Sequence, residues 1–235
     1  MAWVDEAKRK AAIRAVQHVK DGYVVGLGSG STAEYAIKEL AKKMRGERLL
    51  IRAVSSSHRT AAVAKESGIP LISLDEVEDI DVAIDGADQV DPQLNLIKGR
   101  GGALMREKVI DSLAKEFLVV ADESKLTDKL GLGVRVPIEV LPFSAKVVMK
   151  RIEGLGGRPE LRMADGKSGK VEPVLTDNGN HIVDVNFGRI DDPRSLDVEL
   201  RRIPGVLETG LFVEMVHLAY IGCRRGVKVI RRKKT

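Results

Sequence analysis

An α/β fold, a mostly parallel sheet with a smaller α+β unit inserted into it, is predicted by three features of this 235-residue chain. Apolar, β-branched runs alternate with helix-patterned segments from the start of the chain to about residue 125, the order that a parallel sheet covered on both faces produces. Near Val134 the rhythm changes to strands and helices in a different order. After Gly205 it returns to longer apolar segments.

The first region supplies strands at Tyr23–Leu27, Ile51–Val54, Asp81–Ile84 and Phe117–Ala121, each predominantly apolar and so read as buried on both faces, with a short one at Pro70–Ser73. Helices are expected at Thr32–Met44, at His58–Glu66 behind a Ser57 cap, and at Ala103–Ala114. Beyond Val134 come a strand at Arg135–Val140, a helix at Ser144–Glu153, strands Val174–Thr176 and His181–Phe187 around an Asp177–Asn180 turn, and a helix at Pro193–Arg202. A helix at Val213–Arg224 and a strand at Val227–Ile230 end the chain. The expected organisation is a Rossmann-like sheet domain of residues 1–132 and 206–235, carrying at 133–205 an α+β insert of split βαβ (ferredoxin-like) type that is a candidate oligomer contact.

Composition narrows the class. Hydrophobic residues make up 43% and charged residues 31%, the proportions of a soluble globular protein, and no apolar run approaches the roughly 20 residues of a membrane span. The start, MAWVDEAKRK, is charged and lacks the apolar core of a secretory signal. A single cysteine, Cys223, forbids an internal disulfide framework, and with these features points to the cytoplasm. The net charge of +5 is spread among 34 acidic residues and aromatics are only 3%, so stacking platforms for nucleic acid are scarce; the basic tail at 230–235 reads as a solvated terminus. Neither nucleic acid nor membrane is expected as a partner.

The unusual residues collect just beyond the carboxyl ends of the first-region strands, where open α/β sheets bind ligands. Gly28–Thr32 follows the first strand, Ser55–Ser57 the second, Asp85–Asp88 a later one and Asp122–Lys125 another. GLGSGST (26–32) matches neither a dinucleotide fingerprint nor a Walker loop. Two readings stand: a cradle of N–H groups and hydroxyls for a phosphate or sugar hydroxyl, or a tight turn with Ser31 as helix cap. In KGRGGALMREK (98–108), Lys98 precedes a glycine stretch that lets backbone approach a ligand, and Glu107 sits in the second turn of the helix that follows. Arg106, Glu107 and Lys108 read either as a solvated face or, beside that loop, as the setting of a general base. DGADQVD (85–91) lacks the calcium-loop spacing and has no His or Cys beside it; His18, His58, His181 and His217 each stand alone in a helix or strand.

Taken in order, GSGST, DGAD, the K-G-x-G-x-A-L-x-R-E-K stretch and the later D-x-S-K resemble the A-type ribose-5-phosphate isomerase family over nearly the whole chain. The resemblance implies interconversion of ribose 5-phosphate and ribulose 5-phosphate, in the non-oxidative pentose phosphate pathway, with no metal and no organic cofactor, in a homodimer or homotetramer. It implies Glu107 as the base between C1 and C2, Asp85 as the group handling hydroxyl protons, Asp88 as an orienting carboxylate and Lys98 as the cation beside the enediolate. Ser29, Gly30, Ser31 and Thr32 match the substrate loop, Gly86, Ala87, Gly99, Arg100 and Gly101 are implied as further substrate-binding positions, and Lys125 and Lys8 are available to the phosphate. Two positions depart from the family pattern: Ser29, often Thr, and Arg100, which interrupts the glycine run and either points to solvent or adds a ligand contact. Asp91, before Pro92, reads as a turn residue. The other readings are a sugar-phosphate-binding sensor, or another sugar-phosphate enzyme on the same scaffold; the full Asp85, Asp88, Lys98 and Glu107 set favours the isomerase.

Overall fold

The computed structural model describes residues 2–164 and 172–232. In chain order its elements begin with α1 (Ala2–Ala15), β1 (Val24–Leu27), α2 (Ser31–Glu47), β2 (Arg52–Ser55), α3 (His58–Glu66), β3 (Ile80–Asp85), β4 (Gln89–Val90) and β5 (Leu96–Ile97). Then come α4 (Leu104–Leu113), β6 (Ala114–Asp122), β7 (Val136–Val140), α5 (Ala145–Gly154), β8 (Arg158–Leu161) and β9 (His181–Asn186). The last are α6 (Pro193–Arg201), β10 (Val206–Thr209), β11 (Leu211–Phe212), β12 (Leu218–Cys223) and β13 (Gly226–Arg231). Contacts divide the chain into a first unit of 1–87, 106–126 and 214–235 and a second of 88–105 and 127–213.

The first unit is built on a six-stranded sheet in the order β13-β12-β6-β3-β1-β2. Every neighbouring pair from β12 to β2 is parallel, and only β13 runs antiparallel at one edge. The chain leaves β1 for β2 in one direction and β3 for β6 in the other, so the crossover switches side between β1 and β3. Leu27, Ile37, Leu40, Ile84, Leu118 and Val120 lie in one buried cluster with Ala11, Ala12 and Ala15 of α1. Burial of each large side chain among them is worth about 2 kcal/mol. Small residues let α1 come close: a Cβ on Gly222 of β12 would fall 1.9 Å from the Ala7 carbonyl oxygen.

The second unit holds a four-stranded sheet in the order β10-β7-β9-β8, antiparallel at every pairing. With the chain order β7-α5-β8-β9-α6-β10, this is the expected ferredoxin-like split βαβ arrangement. Val148 and Ile152 of α5 and Leu200 of α6 pack with Ile138, Val140, Val183 and Val185 of the sheet in a buried cluster. A small antiparallel sheet, β11-β5-β4, belongs to the same unit. Pairing of Leu211 and Phe212 with Ile97 and Leu96 is why 88–105 and 206–213 group here rather than with the flanks of the expected 133–205 insert.

Several elements differ from expectation. Val213–Arg224 is not a helix: its Leu218–Cys223 part is a strand paired on both sides, a position that selects apolar residues on both faces and so erases the alternation that marks a strand. Val174–Thr176 makes only a bridge, Leu175 to His181; the hairpin partner of β9 is Arg158–Leu161. Pro70–Ser73 likewise contributes one bridge, Leu71 to Ala53. α1, unforeseen because its first residues are so charged, carries buried Ala7, Ala11, Ala12 and Ala15 on one face. Of the basic tail, residues 233–235 lie outside the described residues.

Candidate active site

The site of the first unit follows from strand register. β1 and β3 are parallel neighbours with Leu27 opposite Ile84, so the next residues, Gly28 and Asp85, meet at the carboxyl edge of the crossover switch. A Cβ on Gly28 would stand 2.0 Å from both Cγ and Oδ1 of Asp85; no residue with a side chain fits there. Asp85 is fully buried, and its Oδ1 accepts the backbone N–H of Ser29 at 3.0 Å and of Gly86 at 2.6 Å. Two main-chain donors hold this buried oxygen in place.

Around this carboxylate the loop 28–32 is tied down by hydroxyls. Ser29 Oγ lies 2.8 Å from Ser56 Oγ and 3.3 Å from both Ser57 Oγ and Thr60 Oγ1, while Thr60 Oγ1 donates to the Gly28 carbonyl at 3.1 Å. Ser57 caps α3 as expected, accepting the Thr60 N–H. Ser31 is not the cap of α2. That position is Gly30, whose φ of +91° is left-handed territory, and no side chain closes the helix end. The first N–H groups of α2 therefore face outward beside the exposed Gly30 and Ser31. Lys8 of α1 donates to Ser31 Oγ at 3.1 Å, bringing a cation to the same helix end. Thr32 is buried.

Glu107 lies in the first unit on α4 and is 3% exposed, with Lys108 next to it at 5%. These values remove the solvated-face reading of Arg106–Lys108. Lys125, half-buried, ends the short turn Glu123–Lys125 that follows β6, where Asp122 accepts the Ser124 N–H.

The second unit carries the remaining residues. Lys98 is 3% exposed; its N–H donates to the Gly210 carbonyl at 2.9 Å and its ammonium sits 5.2 Å from the centre of the Phe212 ring. Gly99 and Gly102 have φ of +96° and +86°, conformations that L side chains avoid. Asp88 Oδ2 accepts the Arg100 N–H at 3.0 Å, and the Asp88 N–H donates to Ile97. The Arg100 side chain is exposed, as is Gly101; Gly86 is buried and Ala87 half-buried. Asp91 is committed to its own turn, accepting from the N–H groups of Gln93 and Asn95 and from the Asn95 amide.

Sequence reasoning missed two polar systems of this unit. Arg162 forms a two-toothed ion pair with Asp184 at 2.7 and 2.5 Å and donates to the carbonyls of Gly99 and Arg100. Glu139, fully buried on β7, accepts from Thr176, Asn178 and Asn180, and the Asn178 amide also lies 3.7 Å from Met105 Sδ. The only local sign of either was a carboxylate at a strand-interior position. Away from the site, His18 is held between Glu116 and Tyr220, and His217 accepts the Phe117 N–H, which accounts for two of the lone histidines. No helix among the described residues is long and apolar enough to cross a membrane.

The model of the family Ribose 5-phosphate isomerase A (phosphoriboisomerase A) matches residues 52–226. Ribose-5-phosphate isomerase A of Thermococcus kodakarensis is 47% identical over 230 residues, covering 97% of this chain and 99% of its own. Among solved structures, a D-ribose-5-phosphate isomerase in complex with phospho-erythronic acid is 46% identical with a TM-score of 0.94, over 97% of this chain and 99% of that one. The ribose 5-phosphate isomerase A of Methanocaldococcus jannaschii is 44% identical with a TM-score of 0.91, over 96% of this chain and 98% of its own. A match of this length and closeness means that the chain belongs to the ribose 5-phosphate isomerase A family.

Proposed function

We propose that the chain interconverts D-ribose 5-phosphate and D-ribulose 5-phosphate through an enediolate. The observation that carries this reading is the burial of Asp85, Lys98 and Glu107, at 0%, 3% and 3% exposure, within the motifs the family shares. Ionisable groups are seldom buried to this degree without a partner or a task. Glu107 takes the proton from C2 of the open-chain aldose and returns it to C1. Asp85 relays the hydroxyl proton between O2 and O1 and assists ring opening, and Asp88 orients the sugar. Lys98 faces the negative charge that develops on the enediolate oxygens, the role in which a fixed cation contributes most. Ser29, Gly30, Ser31 and Thr32, with Lys8 and Lys125, receive the phosphate end; helix N–H groups, hydroxyls and ammonium groups suit a dianion. Gly86, Ala87, Gly99, Arg100 and Gly101 bind the substrate through backbone.

The reaction moves protons only and needs no redox partner, so we infer that it runs without metal or organic cofactor. The test is an assay of ribulose 5-phosphate formation with EDTA present. Full activity is expected under chelation, and Glu107→Gln is expected to lose about 10³-fold or more in kcat while still binding phospho-erythronic acid. Activity that vanished with EDTA and returned with a divalent ion would overturn the metal-free mechanism, and an active Glu107→Gln would overturn the base. We place the enzyme in the cytoplasm and infer a homodimer or homotetramer. Leu141, Phe143 and Val147 of the second unit are exposed within seven positions, Phe143 at 99%, an apolar surface that self-association would cover. Sedimentation of Phe143→Ser should then show a smaller species than the parent chain.

A further inference from the structure

We propose that Arg162, itself held by Asp184, is a positioning residue for the Lys98–Gly101 loop and, through one peptide group, for Asp88. The inference rests on the reading of Asp88 and Lys98 as substrate-facing groups. Arg162 and Asp184 have side chains 17% and 19% exposed, so the pair is largely shielded from water. Asp184 takes the Nε and Nη2 side of the guanidinium at 2.7 and 2.5 Å, which fixes the plane of the fork. Nη1 is left to face the loop, where it donates to the Arg100 carbonyl at 3.0 Å and more weakly to the Gly99 carbonyl at 3.4 Å.

The Gly99 carbonyl and the Arg100 N–H belong to the same peptide group. Its oxygen end meets Arg162, and its N–H end donates to Asp88 Oδ2 at 3.0 Å. A cation on the carbonyl polarises the amide and strengthens the hydrogen bond on its far side. It also sets the direction of the N–H, because the peptide is planar. The loop has little of its own to hold it: Gly99, Gly101 and Gly102 carry no side chains, and two of the three sit at positive φ. Its ties also include the Lys98 N–H on the Gly210 carbonyl and a turn from the Gly102 N–H to the Gly99 carbonyl. Lysine cannot replace Arg162 fully, since a single ammonium cannot hold both Asp184 oxygens and two carbonyls in one plane.

The experiment compares Arg162→Met, Arg162→Lys and Asp184→Asn with the parent chain. It measures kcat and KM for ribose 5-phosphate, phospho-erythronic acid stoichiometry by calorimetry, and melting temperature. Per competent site, Arg162→Met is expected to lose about 10- to 100-fold in kcat with KM changed by less than about threefold, the signature of misplaced catalytic groups. Arg162→Lys should recover part of that loss, and Asp184→Asn, which keeps the cation but loosens its fork, should fall between the two. A purely structural role would lower stoichiometry and melting temperature while leaving kcat per competent site unchanged. That result, or unaltered kcat in both Arg162→Met and Asp184→Asn, overturns the proposal. If Arg162→Met does not fold, the Asp184→Asn value decides. A parent chain inactive on ribose 5-phosphate sinks the isomerase reading itself, whereas an active parent with indifferent variants sinks only the role of Arg162.

Discussion

The loops 28–32 and 98–102 both bring bare backbone up to ionisable side chains, yet they are held by different means. In the first, the restraint comes from the adjacent strand: register sets Gly28 against Asp85, and the Asp85 carboxylate binds the loop's own N–H groups. Hydroxyls from Ser56, Ser57 and Thr60 complete it, all at the end of the next strand or the start of the helix behind it. In the second, the restraint arrives from Arg162, more than sixty positions along the chain, through carbonyls rather than N–H groups. A loop at the end of a central parallel strand inherits its geometry from the sheet. A glycine loop between a short strand and a helix has to be gripped from outside.

That contrast can be broken at its strongest point by Gly28→Ala. The new Cβ would lie 2.0 Å from the Asp85 carboxylate, and Gly28 directly follows a strand paired to that of Asp85, so the two cannot separate cheaply. The expected loss is at least about 10³-fold in kcat, read by the isomerase assay with circular dichroism as the control for folding. Gly99→Ala should hurt less. Its φ of +96° is unfavourable for alanine and the added Cβ would approach Leu104 Cβ to 2.7 Å, but the loop can shift. A loss of about 10- to 100-fold in kcat and roughly 2 kcal/mol of stability is expected by assay and urea titration. If Gly99→Ala proved as damaging as Gly28→Ala, the second loop would be as tightly specified as the first.

The same contrast explains what the sequence discloses. The mostly parallel sheet and the rim of polar loops that holds Asp85 are legible because parallel strands leave apolar runs and their C-terminal loops collect the polar residues. The Arg162–Asp184 fork is invisible, because neither residue stands near the loop in sequence and an arginine after a strand looks like any surface charge. The Glu139 cluster is hidden for the same reason: Thr176, Asn178 and Asn180 read as turn residues until the strand that faces them is known. β12 escapes the sequence for the opposite reason. Its neighbours on both sides demand apolar residues at nearly every position, and a uniform apolar run has no period to read.

Within the 85–91 stretch, Asp91 marks the limit of the acidic cluster's role. Asp91→Ala removes the acceptor for the Gln93 and Asn95 N–H groups, with Asn95 only 9% exposed. A stability loss of about 2 kcal/mol is expected by urea titration, with kcat per folded molecule kept within about twofold. A large fall in kcat would add Asp91 to the carboxylates proposed to act on the substrate.

Ser56→Ala should have the smallest effect, and its size measures how redundant the first loop's restraints are. Ser56 is fully buried and its hydroxyl is the nearest partner of Ser29 Oγ, at 2.8 Å. Removing it does not orphan Ser29, whose hydroxyl retains Ser57 and Thr60 at 3.3 Å. Replacing serine by alanine also leaves a void of only one oxygen. The cost is therefore that of one hydrogen bond with its partner still satisfied, about 1 kcal/mol by urea titration, with kcat within about threefold. The strand register that sets Gly28 against Asp85 is untouched by the change. A tenfold rise in KM for ribose 5-phosphate would show that the hydroxyl cluster, more than the register, fixes where the loop presents its N–H groups.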